Sequence, residues 1–271
     1  MNTYETGKTA LFSPADRPDR AIKALNGPAD LAIVDLEDAV ALEDKNTARS
    51  QLESLLRSTT RSTGIVIRIN DPSTSIGATD IKEICRLASD ESLPEIAVMI
   101  PKFTTTTNLE QLPREIAVFG LIETADAVRD IYALAALPRI SRLALGAVDL
   151  STELGCHPSS ATIDAVRSQI VIASAAAHLS APLESPCVNF RDVSVVADAA
   201  QRARRDGFGG MLCIHPAQVD TVYSAFSPSE DEIEWAQRVL AAGTSAASVD
   251  GEMVDRPVLL RAQRILESVN P

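Results

Sequence analysis

The sequence predicts an α/β fold, a (β/α)8 TIM barrel, on three observations. Strand-like runs alternate with helix-like segments over most of the 271 residues, as in parallel strands joined by helical crossovers. The runs are apolar along most of their length, which is typical of strands covered on both faces. Their number is eight, which suits a closed barrel better than an open sheet. The predicted strands are residues 9–14, 31–36, 65–70, 96–101, 116–122, 143–149, 182–188 and 211–215.

The segments between the strands have the pattern of amphipathic helices. Ile163, Val166 and Ile170 recur at steps of three and four residues, and Val128 and Ile131 continue the same pattern in another segment. Each such helix offers one apolar stripe to the sheet.

The tail after the eighth strand predicts a second unit. Residues 1–242 are expected to form the barrel domain, and residues 243–271 a linker and a C-terminal segment. The linker at 243–251 (GTSAASVDG) is small and polar, and a helical stretch follows at 258–269. A tail of this kind can be a cap, a lid or a contact with another subunit.

Composition and charge exclude several classes of function. A net charge of −12 disfavours binding to nucleic acid, which needs clustered Lys and Arg. The four cysteines are spread singly, without the spacing of a zinc site or a disulfide framework. No run reaches the roughly 18 apolar residues of a membrane helix, and the first residues lack a signal core. We therefore expect a cytoplasmic protein without membrane contacts.

Charged residues stand where several apolar strands should end. Because the carboxyl ends of barrel strands meet at one face, and because burying a charge costs free energy, these residues predict a shared polar site. They are Asp35, Glu37 and Asp38 after the second strand, Arg68 in the third, Glu123 after the fifth and Asp149 after the sixth.

Glu123 and Asp149 follow neighbouring predicted strands, so their carboxylates could share one cation. Mg²⁺ usually takes one or two protein carboxylates and completes its shell with waters and substrate oxygens. The alternative is that each carboxylate caps the helix that follows it.

The other charged residues allow two roles each. Arg68 could bind a substrate carboxylate through its fork or pair with the acids at 35–38, and both can hold at once. Glu37 and Asp38 could transfer protons, since crowded carboxylates raise one another's pKa, or serve as support. Lys102 could form a Schiff base but is expected to be ion-paired among these carboxylates.

Eight short motifs, in order over nearly the whole chain, carry a family resemblance. They are residues 11–18 (LFSPADRP), 34–40 (VDLEDAV) with 43–45 (EDK), 68–70 (RIN), 101–102 (PK), 121–124 (LIET), 146–150 (GAVDL), 213–216 (CIHP) and 251–257 (GEMVDRP). Together they resemble the HpcH/HpaI aldolase and citrate lyase β-subunit superfamily, specifically its stand-alone citrate-lyase-β-like proteins.

The resemblance implies a (β/α)8 barrel with Mg²⁺ at the strand ends and a C-terminal helical lid that closes over a neighbouring subunit. On this chain it makes Glu123 and Asp149 the metal ligands and Asp255 the catalytic aspartate of the lid. With Asp255 we assign Arg68, Glu37 and Asp38 to catalysis. Glu123 and Arg68 are also assigned to substrate binding, and coenzyme A is assigned to Phe12, Arg20, Lys23, Ile214 and His215.

The implied activity is cleavage of a carbon–carbon bond in malyl-CoA, citramalyl-CoA or a citryl thioester to an acyl-CoA and a 2-oxo acid, with thioester hydrolysis as a second outcome. The implied assembly is a homo-oligomer, a trimer or a hexamer. The alternatives are an aldolase for free pyruvate or oxaloacetate, a citrate lyase β-like subunit that acts on an acyl-carrier-protein thioester, and a non-catalytic barrel.

Overall fold

Eight parallel strands form a closed barrel in chain order in the computed structural model, which describes residues 3–61, 63–242, 248–249 and 252–268. The strands are β1 (Thr9–Pro14), β2 (Leu31–Asp35), β3 (Gly64–Arg68), β4 (Ile96–Ile100), β5 (Val118–Ile122), β6 (Ile140–Leu145), β7 (Ser180–Glu184) and β8 (Gly210–Cys213). The last strand pairs with the first, so that Thr9 lies beside Met211. The predicted (β/α)8 fold is confirmed.

Helices surround the barrel and connect its strands. They are α1 (Thr3–Thr6), α2 (Pro18–Leu25), α3 (Lys45–Arg57), α4 (Ser75–Ala88), α5 (Ala125–Arg129), α6 (Ile131–Ala135), α7 (Ala147–Glu153), α8 (Ala161–Ala176), α9 (Val193–Asp206), α10 (Val219–Phe226), α11 (Glu230–Ala242) and α12 (Arg256–Glu267). The crossover from β4 to β5 holds a 3₁₀ turn at Leu109–Gln111 instead. None of the helices among the described residues is long and apolar enough to span a membrane.

Two apolar layers explain why the strands read as continuous apolar runs. Along β2, Leu31 and Ile33 belong to the cluster inside the barrel, whereas Ala32 and Val34 belong to the cluster between sheet and helices. Successive side chains of a strand point to opposite faces, so both faces of the sheet are buried here.

A buried arginine lies at the amino-terminal end of the barrel. Arg142 of β6 is fully buried and donates hydrogen bonds to the carbonyl oxygens of Ala181 (2.6 Å) and Gly7 (2.7 Å). Burial lowers the pKa of Arg142 to about 9. Its role is structural, and the polar site lies at the other end of the strands.

Two predicted strands are displaced along the chain. The sixth runs over Ile140–Leu145 instead of 143–149, and the seventh over Ser180–Glu184 instead of 182–188. Gly146 leaves the strand conformation (φ −101°, ψ 68°) and precedes α7, whose buried Ala147 and Leu150 have helical spacing. The apolar run at 143–149 therefore combines a strand end with a helix start.

The C-terminal segment packs on α11. Ala236 and Val239 of α11 form a small core with Val254 and Ala262. Short strands β9 (Ser248–Val249) and β10 (Glu252–Met253) pair antiparallel before α12. Residues 243–247 and 250–251 of the predicted linker, and residues 269–271, lie outside the described residues.

Helix α12 lies at the amino-terminal end of its own barrel. A groove of about 1160 Å³ is lined by Pro257 and Leu260 of this region and by Lys8, Asp30 and Gly209, which directly precede β1, β2 and β8. The start of α12 is therefore at the end of the barrel opposite to the predicted polar site.

Candidate active site

Arg68 is the centre of the cluster at the carboxyl ends of β2 and β3. It donates from Nε to Asp35 Oδ1 (2.7 Å) and from Nη2 to Asp35 Oδ2 (2.6 Å), a bidentate pair. Its Nη1 lies 3.1 Å from Glu37 Oε2 and 3.6 Å from Asp38 Oδ2. The ion-pairing role given as an alternative for Arg68 is confirmed, and it involves all three acids. The acids hold the guanidinium in one orientation.

Phe12 and Lys102 complete the walls of this cluster. The Arg68 guanidinium lies 4.8 Å from the centroid of the Phe12 ring, a cation–π contact between β1 and β3. Lys102 Nζ lies 3.2 Å from Glu37 Oε1, so the expected ion-paired role of Lys102 is confirmed. Burial is the main cause that raises the pKa of Glu37 above its usual value, against the lowering effect of Arg68.

Glu123, directly after β5, is a buried carboxyl group with one free oxygen. Its Oε1 accepts a hydrogen bond from the backbone N–H of Lys102 (2.8 Å), which adopts a positive φ of 47°. Its Oε2 is buried and has no hydrogen-bond partner. Burial, and after it the charge of Glu37, raise the pKa of Glu123 to about 8. Such a group is costly to ionise unless a cation is present.

Asp149 does not end a strand, which corrects the prediction. It is exposed in the first turn of α7, four residues after β6 ends. Glu123 and Asp149 nevertheless follow the carboxyl ends of β5 and β6, which pair with each other, so both carboxylates lie on the same side of the barrel. The capping alternative is wrong for both, because Thr124 caps α5 and α7 has no side-chain cap.

The two carboxylates fit the needs of a magnesium ion. No group of three or more His, Cys, Asp or Glu among the described residues could form a metal site from protein ligands alone. Mg²⁺ does not require such a group, since substrate and water oxygens complete its octahedron. The unpartnered Oε2 of Glu123 is an oxygen of the required kind.

Gly146 leaves the space that Glu123 occupies. A Cβ at position 146 would lie 2.5 Å from Glu123 Cβ and 3.0 Å from Glu123 Oε2. We expect Gly146→Ala to displace Glu123, to lower the free energy of unfolding by about 1–3 kcal/mol and to weaken Mg²⁺ binding. Urea denaturation and calorimetric titration with Mg²⁺ measure the two effects.

Gly155→Ala is the matched control for this substitution. Gly155 follows α7 at a positive φ of 65°, with no atom within 4 Å of its added Cβ. This variant should lose stability through backbone strain while its affinity for Mg²⁺ stays that of the parent. Unchanged Mg²⁺ affinity in Gly146→Ala would contradict the placement of the metal at Glu123.

Besides Phe12, the residues assigned to coenzyme A lie in two separate segments, α2 and the residues after β8. Arg20 and Lys23 are exposed on α2, and Ile214 is exposed directly after β8. The ring of His215 stacks on Phe190, with centroids 4.6 Å apart, and its Nδ1 accepts a hydrogen bond from the backbone of Ala217. These positions follow β1 and β8, which are neighbours in the barrel.

Asp255 is not part of the cluster in its own chain. It is exposed and caps α12 by accepting a hydrogen bond from the backbone N–H of Val258 (3.1 Å). Because α12 lies at the amino-terminal end of the barrel, Asp255 is remote from Glu123 of the same chain. Its predicted arrival from another subunit stays a prediction.

Three buried polar side chains near the site, Glu184, Ser185 and Asp80, were missed. Glu184 ends β7 and pairs with Arg167 (2.8 Å), and the next residue, Ser185, accepts a hydrogen bond from the backbone N–H of Ala147 (3.1 Å). A correct boundary for the seventh strand would have shown Glu184 as one more charge at a strand end. Asp80 is buried on α4, and its signal was a charge on the apolar stripe.

A family model described as HpcH/HpaI aldolase/citrate lyase matches residues 8–216 of this chain. The chain belongs to this family. This is a lyase superfamily, and the chain is an enzyme of the citrate lyase β-like type.

Two relatives and one solved structure match this chain over almost its full length. A citrate lyase subunit beta-like protein of Mycobacterium tuberculosis is 35% identical over 277 residues, 98% of this chain and 97% of the relative. A (3S)-malyl-CoA thioesterase of Cereibacter sphaeroides is 30% identical over 96% of this chain and 93% of its own length. CitE from M. tuberculosis, solved with magnesium, acetoacetate and coenzyme A, matches with a TM-score of 0.81 and 33% identity over 98% of this chain and 99% of CitE.

Proposed function

We propose that this protein is a Mg²⁺-dependent lyase that cleaves the carbon–carbon bond of a β-hydroxyacyl-CoA thioester such as malyl-CoA, citramalyl-CoA or a citryl thioester. The products would be an acyl-CoA and a 2-oxo acid. The observation that carries the proposal is the buried, unpartnered Oε2 of Glu123 beside the Arg68 cluster. The CitE complex with magnesium, acetoacetate and coenzyme A supports the same combination of ligands.

The proposed metal ligands are Glu123 and Asp149. The Mg²⁺ ion would supply positive charge to the oxygens of the part of the substrate that becomes the 2-oxo acid. Glu123 is held for this task by the backbone N–H of Lys102, which fixes one oxygen and leaves the other free.

Arg68 is proposed to stabilise the negative charge that develops on the substrate oxygens. Asp35 holds its Nε and Nη2 in a fixed plane, so its position costs no reorganisation when the reaction occurs. Glu37 and Asp38 are assigned to the support of this cation on the Nη1 side. Phe12 covers the guanidinium with its ring.

Asp255 is proposed as the proton-transfer group, supplied by the lid of a neighbouring subunit. In the cleavage direction the β-hydroxyl loses its proton, the carbon–carbon bond breaks, and its electron pair remains on the thioester α-carbon. That carbon then takes up a proton, so the overall reaction conserves protons. The location of α12 at the amino-terminal end of its own barrel favours a neighbour as the source of Asp255.

The proposed boundary between barrel and lid segment at residues 242 and 243 agrees with this role. An active site shared in this way requires a homo-oligomer, for which we propose a trimer or a hexamer. Arg20, Lys23, Ile214 and His215 are proposed to bind coenzyme A at the neighbouring ends of β1 and β8.

Thioester hydrolysis is a second candidate outcome at the same site. The malyl-CoA thioesterase of C. sphaeroides, 30% identical over nearly the whole chain, favours it. Water that reaches the thioester carbonyl would release free coenzyme A as well as the acid.

The proposal is tested by incubating the purified protein and Mg²⁺ with malyl-, citramalyl- and citryl-CoA thioesters and measuring 2-oxo acid and free thiol separately. We expect 2-oxo acid from at least one thioester, and an Asp255→Asn variant with kcat lowered by about 10²–10³. Asn also caps helices well, so the melting temperature should not change.

Asp198→Asn, an exposed acid on α9, is the control and should match the parent. Free oxaloacetate and an acyl-carrier-protein citryl thioester belong in the same panel, because they separate the two alternative substrates. No cleavage of any thioester, or an Asp255→Asn variant as fast as the parent, would contradict the proposed mechanism. Partial activity in mixed oligomers of Asp255→Asn and Glu123→Gln would support a shared site.

A further inference from the structure

A buried polar network lies behind the acidic segment at residues 36–38. At its centre is Asp80 of α4, which has no exposed surface. Asp80 Oδ1 accepts hydrogen bonds from Arg49 Nε (2.8 Å) and lies 2.7 Å from Arg49 Nη2. Asp80 Oδ2 accepts from the backbone N (2.8 Å) and from Nδ2 (2.6 Å) of Asn70. Every partner of this carboxylate is therefore an N–H donor.

The network extends from Asp80 to the backbone of the acidic segment. Asn70 Nδ2 also donates to the carbonyl oxygen of Leu36 (3.0 Å). Lys45, the first residue of α3, donates from Nζ to the carbonyl oxygens of Leu36 and Glu37, at 2.7 Å each. Two consecutive carbonyl groups are thus held from outside the active site.

The position of this segment decides where Glu37 lies. The Glu37 carboxylate contacts Arg68 through Oε2 (3.1 Å) and Lys102 through Oε1 (3.2 Å). The segment follows the end of β2 at Asp35, and its N–H groups are already bound: Leu36 N–H donates to the carbonyl oxygen of Arg68 (2.9 Å) and Glu37 N–H to Asp35 Oδ1 (2.8 Å). The network holds the other side of the segment, its carbonyl groups. A shift of its backbone would move Glu37 relative to both cations.

We propose that Asp80 is a positioning residue, which through Asn70 holds the Leu36–Glu37 backbone and so sets the place of Glu37 beside Arg68. The inference rests on the proposed function only for its catalytic consequence. Its structural part concerns contacts within the chain. The two parts can be tested separately.

The structural part is tested by hydrogen–deuterium exchange of the backbone amides at residues 36–40. In Asp80→Asn an NH₂ group replaces one carboxylate oxygen. Both oxygen positions face N–H donors, so the NH₂ group meets a donor in either orientation and at least one buried hydrogen bond is lost. We expect exchange at 36–40 to become about tenfold faster than in the parent.

Two variants on the same helix are the matched controls. Glu83→Gln removes a partner of Arg86 at 2.7 Å without touching the network. Ile84→Ala removes buried apolar volume and lowers global stability. Parent-like exchange at 36–40 in Asp80→Asn, or the same acceleration in Ile84→Ala, would overturn the proposal.

Lys45→Met removes the hydrogen bonds that α3 donates to the segment. This variant provides a second test should Asp80→Asn not fold. Lys45 is half-buried, and its two bonds go only to the carbonyl oxygens of the segment. Faster exchange at 36–40 is expected here as well. Unchanged exchange in this variant would overturn the role assigned to the network.

The catalytic part is tested by a double-mutant cycle with the thioester that the parent cleaves. Asp80→Asn should lower kcat about tenfold, with KM changed less than kcat, and should have no further effect in a Glu37→Gln background. Additive losses would overturn the link through Glu37. Should the parent cleave no thioester, the proposed function fails, whereas the exchange experiment still decides the structural part.

Discussion

Replacing Arg68 by Leu should destabilise the protein and strongly lower its activity. Asp35 and Glu37 are only 1% and 4% exposed, and without Arg68 both would lose their main cationic partner. Asp35 would keep only backbone N–H donors, and Glu37 would keep only Lys102. Removing one member of such a buried set costs about 3–5 kcal/mol of unfolding free energy. The loss of charge stabilisation at the substrate oxygens should lower kcat by about 10² or more. Urea denaturation and the thioester assay measure these effects.

Arg68→Lys and Arg57→Leu are the two comparison variants for this prediction. Lys keeps the charge but not the fork that holds Asp35, so Arg68→Lys should be intermediate in stability and in kcat. Arg57 pairs with Glu53 (3.0 Å) at the surface, and its replacement should cost less than about 1 kcal/mol. A stability of Arg68→Leu equal to that of Arg57→Leu would show that Arg68 does not hold the acids.

Replacing Glu123 by Gln should remove a pH dependence of stability. The pKa of Glu123 is about 8 in the folded protein against an ordinary value of 4.5, so folded chains keep a proton that unfolded chains release. Between these two values the stability of the parent therefore falls as the pH rises, by on the order of 5 kcal/mol in total. Gln does not ionise and lacks this loss.

The difference in unfolding free energy between Glu123→Gln and the parent isolates the effect from all other titrating groups. At pH 5 this difference should be small. At pH 8 without Mg²⁺ the variant should have the higher unfolding free energy. Added Mg²⁺ should raise the melting temperature of the parent at pH 8 and leave that of Glu123→Gln unchanged. Parallel pH curves for the two proteins would contradict the raised pKa.

The charges at strand ends could be predicted from the sequence because each interrupts an apolar run. A charged side chain at the end of a strand buried on both faces is best accommodated at the polar end of the barrel, so Arg68 and Glu123 were located correctly. Asp149 was misplaced since Gly146 ends β6 early and an apolar helix start continues the pattern. Side-chain spacing alone does not distinguish a buried strand end from the first turn of a buried helix.

The contacts behind the site could not be predicted because they join distant elements. Asp80, Arg49 and Asn70 come from α4, α3 and the residues after β3, and only the packing of these elements brings them together. The position of Asp255 depends in the same way on how α12 packs. Sequence patterns specify which face of an element is buried, not which polar group meets it there.

The buried Arg142 bears on how substrate and products enter and leave the barrel. Its hydrogen bonds to Ala181 and Gly7 fix it at the amino-terminal end, and buried apolar side chains such as Ile33, Val66 and Phe119 fill the interior of the barrel. A barrel filled in this way has a single entrance. Substrate must enter, and both products must leave, through the same mouth between the strand ends, and whatever covers that mouth controls every exchange with solvent.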